Sequence, residues 1–102
     1  MKYYQQVVKI LKEKCPANLP VRVRRVTVPR DRFGDCSKYD DYYLIRVSNK
    51  LRTEEAINIL IHEWAHAISW DKCALEDHSN EWGKAYSRVY RIFIKEVLNR
   101  AS

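Results

Sequence analysis

Histidine is scarce in this chain. There are three in 102 residues, and His62, His66 and His78 all fall within one short stretch. Cysteine is as sparse: Cys15, Cys36 and Cys73 make an odd count with no C-x-x-C pair. That argues against a disulfide framework and fits a reducing cytoplasm. No apolar run approaches the roughly 20 residues that cross a bilayer, and Ile59-Leu60-Ile61 is far too short. The opening residues, Met1-Lys2-Tyr3-Tyr4-Gln5-Gln6, lack the apolar core of a signal peptide. There is no internal repeat, low-complexity tract or linker. These absences predict a soluble, cytoplasmic protein with no membrane contact, folded as one domain over residues 1–102.

The composition agrees with that expectation. Apolar residues make up 46% and charged residues 31%, ordinary for a globular domain, and the length suffices for one small core. The net charge of +6 is unevenly spread: residues 1–50 hold twelve Lys/Arg against five Asp/Glu, residues 51–102 seven against eight. A basic N-terminal half suits DNA or another polyanion, although no nucleic-acid motif accompanies it.

Tyr4, Val7, Val8 and Leu11 recur at helical spacing, so residues 2–14 read as an amphipathic helix ended by Cys15-Pro16. Val21–Val23 and Val26–Val28 alternate as half-buried strands do. The Arg24-Arg25 pair between them reads as a bulge or a tight turn. Residues 30–41 are charged and turn-rich, as in a surface connection. Tyr42–Ser48 is the clearest strand, with Tyr43, Ile45 and Val47 on one face. Thr53 suits an N-cap, and the helix from about 54 to 70 places Ile57, Leu60, Ile61, Trp64 and Ile68 on a core face. A last helix spans about 80–99, with Trp82, Tyr86, Val89, Phe93 and Val97 spaced for burial. Helix, strands, helix, helix makes an α+β domain with a small, mainly antiparallel sheet.

What stands out against this plain background is His62-Glu63-Trp64-Ala65-His66, an H-E-x-x-H sequence. Residues four apart share a helix face, so His62 and His66 can hold one metal ion between them. Glu63, about 100° further round, can reach a zinc-activated water as general base without binding the metal. Chance would supply the motif in roughly one chain of this length in several hundred. Catalytic zinc takes three protein ligands and leaves a fourth position open. His78 is the first choice for the third, with Glu76, Asp77 and Glu81 as carboxylate alternatives, and Cys73 is better read as a packed side chain. One Zn2+ per chain would also help to hold so small a scaffold together. Tyr86 or Tyr90 is a candidate second donor to the transition-state oxyanion. An exposed sheet edge could hold an extended peptide. If Tyr42–Ser48 is such an edge, Tyr43, Ile45 and Val47 lie on the substrate rail; a central strand is the equal alternative.

Several of these residues, in this order, resemble the SprT-like, or Spartan-type, zincin metallopeptidases over roughly residues 33–90. They are Gly34-x-Cys36, Ile45-x-x-Ser48-x-x-Leu51, Leu60-x-His62-Glu63-x-x-His66-Ala67 and His78-x-x-x-Trp82. The resemblance implies a minimal zincin-like domain with His62, His66 and His78 as zinc ligands and Glu63 as general base. Larger members carry a zinc ribbon or partner-binding tails, and some degrade proteins crosslinked to DNA. This sequence shows none of those additions and looks similar to short stand-alone phage and prophage versions, which would act in the host cytoplasm. The expected protein is therefore a monomeric zinc endopeptidase acting on a protein or peptide substrate. The alternative is a zinc-stabilised, catalytically idle module that binds nucleic acid or a protein through its basic half.

Overall fold

The computed structural model describes residues 2–72 and 80–98. His78 and the rival third ligands Glu76 and Asp77 lie outside the described residues, as does Cys73. In chain order the elements are α1 (Lys2–Lys14), β1 (Val21–Val26), β2 (Gly34–Lys38), β3 (Tyr43–Ser48), α2 (Thr53–Ile68) and α3 (Asn80–Phe93). A 3-10 turn, Trp70–Lys72, follows α2, and a π-helical turn, Ile94–Leu98, extends α3. The domain is α+β, as the order of elements predicts.

The sheet departs from expectation in three ways. It is mixed rather than mainly antiparallel: the order is β1-β3-β2, with β1 parallel and β2 antiparallel to β3. Second, the Arg24-Arg25 pair marks neither bulge nor turn, since β1 pairs with β3 in unbroken register from Val21 to Val26. Arg25 takes an inward position, and its guanidinium donates to the carbonyls of Ser48 (3.1 Å) and Leu51 (2.9 Å). It also lies 5.1 Å from the Tyr4 ring centre. A charged residue thus keeps an apolar register because its donors are satisfied by backbone carbonyls. Third, the segment expected to be a surface connection contains β2. Its residues have little strand propensity of their own, and pairing with β3 holds them extended.

β3 inserts between β1 and β2, and the reason lies in its apolar face. Tyr43, Ile45 and Val47 are at most 1% exposed, facing the helices. The neighbouring strands carry charges and take the edges. With both sides of β3 paired, its backbone has no edge to offer. The reading of Tyr43, Ile45 and Val47 as a substrate rail therefore does not hold.

Behind the sheet, α1 contributes Tyr4, Val7, Val8 and Leu11, and α2 contributes Ile57, Leu60, Ile61 and Trp64. Trp64 is wholly buried, and its indole N–H donates to the Cys15 carbonyl at 2.8 Å, tying α2 to the end of α1. α2 begins at Thr53 itself, one residue early, so Thr53 is not the N-cap. Arg52 precedes the first turn, where its backbone N–H donates to the Glu55 carboxylate at 3.1 Å.

Candidate metal centre

α2 positions His62, Glu63 and His66 by periodicity alone, and its buried face fixes which way they point. The two imidazoles stand with ring centres 5.1 Å apart, inclined at 68°. Two imidazole nitrogens on one tetrahedral zinc, each about 2.0–2.1 Å from it, place their ring centres about 5 Å apart. The pair thus has the separation a shared zinc ion needs, and imidazole is a preferred donor for that metal. Both rings are half-buried, reachable from solvent yet supported from behind.

Glu63 is more enclosed than its neighbours, 8% exposed. Its carboxylate lies 4.0 Å from His62 Nε2. Burial, reinforced by the nearby Asp35 charge and opposed by Arg32, pushes its pKa up to about 7 from the ordinary 4.5. A carboxyl poised near neutrality suits a group that must take and return a proton.

The wall next to Glu63 is β2. Gly34 faces α2 closely enough that a Cβ there would stand 2.7 Å from Ile59 Cγ2 and 2.6 Å from the Arg46 carbonyl oxygen. Only glycine lets the strand press so near the helix. Two residues on, Cys36 is a free thiol pushed up to about 12, first by burial and then by the Glu63 and Asp35 charges. A thiol held so firmly protonated packs as a small apolar group. Asp35 receives a two-pronged hydrogen bond from Arg46, whose Nε lies 2.8 Å from Oδ1, and this bond holds its carboxyl below the usual range.

On the opposite side, Trp82 packs against both histidines, with ring centres 5.0 Å from His62 and 5.5 Å from His66. Its spacing assigned it to the buried face of the last helix, and the resemblance marked it only as the aromatic four residues after His78. The contact comes from how α2 and α3 pack, and nothing local in the sequence signals it. Tyr86 packs against Trp82 at 5.2 Å, tilted by 35°, and Tyr90 stacks on Tyr86 at 6.1 Å. The ladder of rings therefore leads outward from the histidine pair, with the indole between it and the tyrosines. Glu81 lies on α3, where its carboxylate is 3.7 Å from Lys84 Nζ. Among the described residues, no group of three His, Cys, Asp or Glu side chains converges on one point. The third donor expected at His78 lies outside them.

No helix among the described residues is long and apolar enough to cross a membrane. No protein-family model matches the chain, and a comparison with curated proteins returns no match.

Proposed function

We propose that the chain is a SprT-like zinc metallopeptidase, with His62, His66 and His78 as the zinc ligands and Glu63 as general base. The observation that carries this reading is the histidine pair, spaced for one zinc ion beside a buried carboxyl poised near neutral pH. Bound zinc would supply Lewis-acid chemistry, polarising the scissile carbonyl and easing loss of a proton from water. Glu63 Oε2 takes that proton as the water attacks, then delivers it to the leaving amine. Its enclosed setting keeps the carboxyl basic enough for the first transfer and acidic enough for the second. Trp82 excludes water from one side of the histidine pair and limits its rotation. Tyr86, the nearer of the two tyrosines on the ladder, is the candidate hydroxyl donor to the developing oxyanion. Among the described residues the outer edge of β2 pairs with no strand. Flanking α2, it is the edge to which an extended peptide would add by backbone hydrogen bonds.

Elemental mass spectrometry on purified protein tests the metal assignment, and a fluorogenic peptide library tests the hydrolysis. About one zinc per chain is expected, lost in His62→Ala and His66→Ala, reduced in His78→Ala and retained in Glu63→Gln. Peptide cleavage should fall by two orders of magnitude or more in Glu63→Gln, on the scale of about 10²–10⁴ for a general base. A wild-type chain that takes up no zinc would overturn the reading. One that binds zinc but cleaves nothing would leave the idle binding module.

A further inference from the structure

α2 packs directly on one side of the sheet, with α1 and α3 packed against that helix, and what the other side carries suggests a second function. Gly34 faces α2, so alternation along β2 turns Asp35 and Ser37 the opposite way, with Phe33 and Tyr39 flanking the strand at its two ends. On β3 the same alternation turns Leu44 and Arg46 outward, paired in register with Arg22 and Arg24 of β1. Arg22 caps the Tyr42 ring at 4.2 Å, and the Tyr39 ring stacks on Tyr42 at 5.0 Å, inclined only 21°. The guanidinium and two rings form one continuous stack across the strands. It ends at Tyr39, which is 48% exposed. Phe33, 63% exposed, stands at the other end of β2. The five residues of β2 lie between Phe33 and Tyr39, a backbone span of about 20 Å.

The charges on this face are lopsided. Its carboxylate, Asp35, is already engaged by Arg46, with Arg32 also within 3.6 Å. Arg22 and Arg24 are exposed and have no carboxylate partner among the described residues. Asp40 and Asp41 sit at the hairpin tip beyond Tyr39 and so set the limit of the cationic surface. A soluble face usually alternates its charges and hides its rings. This one offers flat rings at both ends and cations between them.

The geometry points to the outer sheet face, from Phe33 to Tyr39 and across to Arg22 and Arg24, as a binding surface for single-stranded nucleic acid. Bases would stack on Tyr39 and Phe33, and phosphates would lie along the arginines. Stacking tolerates any base and cations any phosphate, so such a surface binds without sequence preference. Duplex fits poorly, because its bases are already stacked and offer the tyrosine no face. The cations of α3 and of the π-helical turn that extends it (Lys84, Arg88, Arg91 and Lys95) are the rival surface. Lys84 is paired with Glu81, and of the rings nearest them Trp82 and Tyr86 pack against the histidines and each other, leaving Tyr90 alone exposed there. The inference does not depend on the peptidase reading.

Fluorescence anisotropy of a labelled mixed-sequence single-stranded DNA with the full chain tests it, circular dichroism confirming that each variant folds. We expect salt-sensitive binding, weakened by about fivefold to a hundredfold in Tyr39→Ala and in Phe33→Ala. Arg24→Glu should weaken it and flatten its salt dependence. The double variant Arg88→Glu/Lys95→Glu should leave binding within about twofold of wild type, as expected for a remote surface. Phe33 is exposed enough for its truncation to be read even if Tyr39→Ala does not fold. Absence of binding at low salt would overturn the proposal, as would unaltered binding by the Phe33 variant. So would loss of binding in the α3 double variant alone, or equal affinity for duplex. Competition by polyglutamate as effective as by the oligonucleotide would also overturn it, in favour of an acidic polypeptide.

Discussion

Glu63 and Trp64 are consecutive residues on one helix, and they face environments built on opposite terms. Trp64 is fully buried among apolar side chains, and its single polar atom has a carbonyl partner. Glu63 is nearly as enclosed, yet burial acts against its charge and pushes its pKa to about 7. One side of α2 lowers the free energy of the fold, while the other spends part of that gain on holding a carboxyl where it would not otherwise sit. That division is what a preorganised site requires: rigid support behind and a strained functional group in front.

The sharpest way to break the contrast is on the supporting side. Trp64→Ala removes the largest fully buried side chain and leaves the Cys15 carbonyl without its donor. We expect a loss of about 3–5 kcal/mol in urea unfolding. A loss under about 1 kcal/mol, the scale of an ordinary surface substitution, would mean that the indole does not anchor α2. Gly34→Ala comes next, since it drives β2 away from the α2 face that carries the site. A Cβ meeting backbone and Ile59 at such short range should cost about 1–3 kcal/mol. Differential scanning calorimetry would show this as a lowered Tm, and an unchanged Tm would mean that β2 has room to move outward.

The third prediction has the opposite sign. In zinc-free protein, Glu63→Gln should raise stability at pH 8 by roughly 1–2 kcal/mol, because the amide carries no charge to desolvate. The folded pKa lies above the ordinary 4.5, so folding favours the protonated carboxyl. Its contribution is therefore full below pH 4.5, declines as pH rises toward about 7 and is lost above that. The advantage of the glutamine variant should shrink to nothing near pH 4. Urea titrations at the two pH values would decide it, and a variant no more stable than wild type at pH 8 would remove the contrast between the two sides.

How much of this was legible in the sequence varied with the range of the interaction. The bounds of α1, the central apolar face of β3 and the shared face of His62, Glu63 and His66 follow from periodicities of 3.6 and 2. They needed no knowledge of partners. Arg24-Arg25 misled because two adjacent charges look like a broken strand, whereas Ser48 and Leu51, more than twenty residues away, supply the acceptors that keep Arg25 in register. β2 was hidden for the same reason, since pairing with β3 and contact with α2 hold a polar segment that has no strand pattern of its own.

The histidine pair and its carboxyl are thus a property of local sequence: a helix of ordinary geometry brings i, i+1 and i+4 together wherever it lies. The tertiary structure settled which strand lies at the centre, which edge flanks α2 and which ring covers the histidines. Those outcomes depend on competition among segments far apart in the chain for the same buried faces, and short-range patterning carries no record of who wins.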